Sequence, residues 1–312
     1  MVNGSEEAAA NPPALELPAP LPLPHPQLYP AAQAGDAEQL RLLRDEGVDL
    51  FETDGEVSAL AHAAEAGALE ALGVFLGAAP PQGHLDDGLA AALRGGHRPC
   101  AEALLVAGAS PLGVFVLEEA VRASAAGDPA PLLLCLGALA ARGRDALRED
   151  FLRDHYSFHH AVSEAARTDT LGPLAALLEF GRWAVGAGPP FEGPPPELLR
   201  FSASGAFLGA AIIGAEAWDA AGWAPVARLL ITRGGADLQV ALACLSPRPP
   251  QALEERQARI RAAWGAAEPP RWGAAEEAAL DAAVAPALLE LGALLAGADA
   301  GAGAGAGGPA GA

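Results

Sequence analysis

The stretch Ala31–Leu50, AAQAGDAEQLRLLRDEGVDL, runs from small residues through Gly35 into a charged, leucine-bearing segment and then to Gly47-Val48-Asp49. Leu28 to about Ala34 reads as a short first helix in which Ala31 and Ala32 let a neighbouring helix come close. Gly35 ends it, because glycine takes the left-handed conformation of a helix C-terminus at little cost. Asp36-Ala37-Glu38-Gln39 has the form of a capping box, with Asp36 accepting from the Gln39 amide and Gln39 reaching back. In the second helix, Leu40, Leu42 and Leu43 are expected on the apolar side. Glu38, Arg41, Arg44 and Asp45 are expected in water, with Gly47 closing the helix. Two helices this short are marginal alone, so the apolar face requires a similar neighbour to cover it.

That neighbour is present in the sequence. Thirty-two residues on, LAHAAEAGALEALGVFLGAAP from Leu60 repeats Ala31-Ala32 as Ala63-Ala64 and Gly35 as Gly67. A third copy, LAAALRGGHRPCAEALLVAGASP from Leu89, places Gly96 a further 29 residues on. Looser copies follow from Leu117 (LEEAVRASAAGDPAPLLLCLGALAARG), from Phe158 (FHHAVSEAARTDTLGPLAALLEFG) and from about Phe207, where an irregular insert around Trp218 to Trp223 precedes PVARLLITRGGAD. Helical patterns alternate with Gly, Pro and Asp breaks, and strand-like alternation is nearly absent, so the predicted fold class is all-α.

These residues resemble the ankyrin repeat. Leu-x-x-Ala-Ala-x-x-Gly is followed by a leucine-rich helix and then Gly-Ala-Asp, which Gly235-Ala236-Asp237 matches. Asp54-Gly55 before Ser58-Ala59-Leu60 is similar to the family's turn opening, and His159 after Phe158 falls where that motif has its histidine. Most units lack the Thr-Pro-Leu-His opening, and long loops are expected at Phe180 to Glu197 and Ile213 to Pro225. The resemblance implies a helix-pair solenoid of about five or six units over 25–245. It is expected to be flanked by a Pro/Ala-rich disordered tail over 1–24, C-terminal capping helices with a polar outer face over 246–298, and a Gly/Ala-rich disordered tail over 299–312.

The family's function is binding, through the inter-unit loops and first helices, so the resemblance implies an interaction scaffold without catalytic activity. Carried onto the loops Phe51 to Val57 and Pro80 to Asp87, it makes Phe51, Asp54, Glu56, His84, Asp86 and Asp87 the candidate protein-interaction residues; Ser110 to Gly113 is the third such loop. The other reading of those residues is that they form turns and solubilise the chain. The expected partner is another protein, with a basic or extended segment.

Composition narrows the alternatives. With 39 acidic and 19 basic residues the net charge is −20, which disfavours nucleic acid and anionic lipid surfaces. Every basic residue is arginine, so Schiff-base lysine chemistry and a lysine-bearing phosphate loop are excluded. Cys100, Cys135 and Cys244 are widely spaced in apolar segments, which suggests reduced thiols and a cytoplasmic or nuclear setting. The opening MVNGSEEAAANPP has no basic stretch and no apolar core, so no secretory leader is expected. The uncharged, largely apolar run Ala103–Leu117 has 15 residues and falls short of the ~20 needed to cross a bilayer.

No catalytic signature, cofactor site or metal set is expected. His155, His159 and His160 supply the alternative, a metal-binding or catalytic helical protein, although His159 already has a structural role in the repeat. Arg142, Arg144, Arg148 and Arg153 alternate with acids and are expected to form a solvated, salt-bridged surface.

Overall fold

The computed structural model describes residues 25–53, 57–124, 128–153, 156–168, 170–184, 220–236 and 274–305. Among them the chain is helical, without a strand. The first unit pairs α1 (Leu28–Ala34) with α2 (Ala37–Asp45). Gly35 is left-handed at φ 72°, and the Asp36 amide donates back to the Ala31 carbonyl at 2.9 Å. Asp36 then caps α2, its Oδ1 accepting from the Gln39 amide at 2.9 Å. The return half of the expected capping box does not form. The Asp36 amide is already engaged with Ala31, and Gln39 Nε2 donates instead to Gln27 Oε1 at 3.1 Å.

The arrangement recurs in α3 (Ala59–Glu65) with α4 (Leu69–Leu76), and in α5 (Gln82–Arg94) with α6 (Arg98–Val106). Gly67 and Gly96 are left-handed like Gly35, and the residues after them, Ala68 and His97, donate back to Ala63 and Ala92. The fourth unit is α7 (Val116–Ser124) with α8 (Ala130–Ala140). An additional helix, α9 (Arg144–Arg153), precedes the fifth, α10 (Tyr156–Arg167) with α11 (Leu171–Ala184). Of the sixth, α12 (Ala220–Thr232) is described; it is helical from Ala220, within the stretch expected to be irregular, and Pro225 lies inside it.

First helices stack in order, α1 on α3, α3 on α5, α5 on α7 and α7 on α10, and the second helices form a parallel row behind them. The result is an all-α helix-pair solenoid. Alanines make the close first row possible: Ala32, Ala63, Ala64, Ala92, Ala120, Ala161 and Ala165 are all buried. Larger residues fill the second row, among them Leu40, Leu43, Leu72, Phe75, Leu104, Leu132 and Leu136. Each such leucine contributes about 1.5–3 kcal/mol on burial, more than a cap provides. Leu42 is an exception to the expected apolar face. It is 52% exposed, since only one side of so short a helix meets a neighbour.

The array ends in α13 (Ala274–Gly305), which lies on α11 and α8. Leu280, Val284, Ala287, Leu291 and Leu295 form its buried stripe. Arg228 pairs with Glu277, Arg233 with Asp281 and Arg144 with Asp299. Two expectations are corrected here. The helix continues to Gly305, into the tail expected to be disordered from 299, and its outer face is small and apolar rather than polar, with Ala278, Ala282, Pro286, Leu289 and Ala293 exposed. Ala274–Asp299 is also long and apolar enough to cross a membrane, with a mean hydropathy of 1.7 over an 18-residue window, although Asp281 and Glu290 interrupt its apolar run.

Candidate functional site

Among the described residues, the loops that follow the first three units touch one another in turn and reach the start of α10, so they form one continuous edge. The Phe51 ring, after α2, lies 5.6 Å centroid to centroid from His84 at the start of α5. Gln82 Nε2 donates to the Gly108 carbonyl at 3.0 Å, and the Ser110 amide to Asp86 Oδ1 at 2.6 Å, which joins α5 to the loop before α7. Ser157 Oγ, at the start of α10, donates to the Leu112 carbonyl at 2.9 Å. A Cβ at Gly113 would stand 2.7 Å from Asp86 Cβ, so glycine permits this close approach.

The candidate interaction residues have unequal places on this edge. Phe51 is partly buried against the core, and His84 is partly buried beside it. Asp86 ties the next loop down, and burial pushes its carboxyl above the usual aspartate range despite hydrogen bonds from Ser110 and Gln82. Asp87 is exposed. Asp54 and Glu56 lie outside the described residues.

A second feature follows the first helices. Arg94 lies 3.6 Å from both Glu65 and Glu119; Arg122 pairs with Glu119 at 2.7 Å and Glu164 at 2.8 Å; Arg167 pairs with Glu164 at 2.6 Å. Alternating charges therefore link α3, α5, α7 and α10. Burial acts to raise the pKa of Glu164, but the hydrogen bonds and charges of Arg167 and Arg122 outweigh it and hold the carboxyl below its ordinary value. That carboxylate stays ionised and has no proton to donate near neutral pH. The sequence signal for this ladder is Glu118-Glu119-x-x-Arg122 and Glu164-x-x-Arg167, a helix spacing that sets the groups on one face. The expected basic cluster is less uniform than its spacing suggests: Arg142 pairs with Asp150, while Arg144 tethers α13 and lies 5.0 Å from the Trp183 ring centroid.

His160 Nδ1 lies 3.0 Å from Glu118 Oε1, the Tyr156 ring is 4.0 Å away and the His159 ring 5.8 Å. His155 lies outside the described residues. Among the described residues, no group of three His, Cys, Asp or Glu side chains is placed to hold a metal ion. A crevice between α6 and α8, lined by His97, Arg98, Asp128 and Leu134, has a volume of about 120 Å3. Small-molecule sites occupy ~300–1,000 Å3. Burial pushes the Cys135 thiol up to about 12, and Cys100 also upward, so neither is a ready nucleophile.

No protein-family model matches the chain, and no curated protein does. Among solved structures it is similar to the crystal structure of the human ASB11 ankyrin repeat domain, at 20% identity and a TM-score of 0.40, over 74% of this chain and 98% of that one.

Proposed function

We propose that the chain is an intracellular protein-interaction scaffold, cytoplasmic or nuclear, without catalytic activity of its own. The observation that supports this reading is the continuous loop edge, where neighbouring units are joined through Phe51 and His84, Asp86 and Ser110, and Leu112 and Ser157. A long, braced surface of this kind suits an extended protein segment better than a small molecule. Stretches 46–58 and 77–88 hold Glu46, Asp49, Glu52, Asp54, Glu56, Asp86 and Asp87 with no arginine, which favours a basic partner. Nucleic acid and anionic membranes fit the net charge of −20 poorly.

Proximity labelling in the native cell, followed by direct binding of each labelled protein to the purified chain, tests the reading. The expected result is a protein with an exposed basic segment whose affinity falls as ionic strength rises. Failure of every labelled protein to bind the purified chain would overturn it.

A further inference from the structure

Val114 and Phe115, in the loop before α7, are 63% and 54% exposed and adjacent in sequence. Phe115 has φ 63°, a conformation that bulky side chains rarely take. The loop does not relax, because it is held on several sides. Ser110 and Gly113 pack on Asp86, the Val116 amide donates to the Gly113 carbonyl at 3.2 Å, and the Glu119 amide donates to the Phe115 carbonyl at 2.9 Å. Ser157 secures Leu112 from the other side, and beside it Tyr156 is more than half exposed. The backbone therefore holds two large apolar side chains towards water in a fixed position, which limits the ordering cost of binding. Residues 107–116 carry no charge at all, whereas the loops before them carry only acidic charge.

We infer that Val114 and Phe115 are the apolar anchor of the loop edge, and that they receive an extended protein segment in which a leucine-sized or aromatic side chain is flanked by Arg or Lys. This rests on the scaffold reading and adds the place and the chemistry of recognition.

Selection of a random-peptide display library on the full chain, followed by affinity measurements on the enriched peptides, tests it. The expected peptides carry an apolar residue between basic ones, and Phe115→Gly weakens them by at least about tenfold. Glycine carries no strain at this φ, so the variant should melt at or above the wild-type temperature; should it melt lower, Val114→Ser supplies the same comparison. Peptides with acidic or uncharged flanks, or unchanged affinity for both variants, would overturn the anchor while leaving the scaffold reading in place. Phe115-dependent dimerisation, seen by sedimentation, would overturn it in favour of a second copy. A chain that selects no peptide and binds no labelled protein removes both readings.

Discussion

Arg122 Nε donates to Glu164 Oε1 at 2.8 Å, joining α7 to α10 across 42 positions of sequence. Glu164 is 7% exposed at its side chain and also binds Arg167, so its loss leaves two cations without their shared acceptor. Glu164→Gln is expected to lower stability by about 1–3 kcal/mol, measured by chemical denaturation. An Arg122→Ala cycle should show that the effects are not additive.

The same carboxylate sets a pH dependence. Its folded pKa lies below the ordinary 4.5, so its contribution is present above about pH 4.5 and lost as pH falls through the folded value. Asp86, raised above 3.8, has the opposite sign; its contribution is full below that value and lost as pH rises through the folded one. Melting curves between neutral and acid pH should show a smaller acid loss in Glu164→Gln than in wild type. Equal losses would contradict the assignment.

Ala79 occupies, 32 residues on, the place of Gly47, and Gly108 follows 29 residues later. All three are left-handed, with φ 87° at Gly47, 54° at Ala79 and 102° at Gly108. Ala79→Gly should therefore raise stability by about 1 kcal/mol, while Gly47→Ala lowers it by a similar amount.

Leu43 is fully buried, whereas Leu42 is 52% exposed and Arg41 is exposed. Leu43→Ala should cost about 2–5 kcal/mol. Leu42→Ala and Arg41→Ala should each stay within about 0.5 kcal/mol, as surface changes do. Equal effects at positions 42 and 43 would mean that the helix face is misassigned.

Cys135 is fully buried, with its thiol pushed up to about 12. In folded protein at neutral pH its tryptic peptide should remain unmodified by iodoacetamide, as read by mass spectrometry, and become labelled only in denaturant.

A side chain at Gly95 would meet the backbone carbonyl of Glu65 at 2.5 Å, an atom that cannot swing away. Gly95→Ala should cost about 1–3 kcal/mol by overpacking α3 against α5. The repeat spacing singles out Gly96 as the left-handed helix end but says nothing of the tight contact at Gly95; an added Cβ at Gly96 would meet no atom within 4 Å, and only its φ of 71° opposes a side chain there.

The repeat was legible in the sequence because it is written in local chemistry. Gly35, Gly67 and Gly96 mark left-handed helix ends, Asp36 caps α2, and pairs of alanines mark surfaces of close approach. Each of these depends on residues a few positions apart, so spacing alone reveals it. The acidic character of the early loops is equally plain from the letters. Other features were not legible. The charged spacing at Glu118, Arg122, Glu164 and Arg167 marks a helix face but does not say that the faces meet. The pattern of Leu40, Leu42 and Leu43 names three apolar residues without saying which two a neighbour will cover.

By itself, then, the sequence determined the helical units, their caps and their order, because backbone conformation and helix periodicity are short-range properties. Tertiary structure alone decided the rest: that Asp86 fastens the loop of the next unit rather than facing solvent, that α13 turns a small apolar face outward, and that Val114 and Phe115 are exposed on a braced turn. Those outcomes depend on which surfaces meet when separate units stack, and stacking joins residues whose separation in the chain carries no signal of contact.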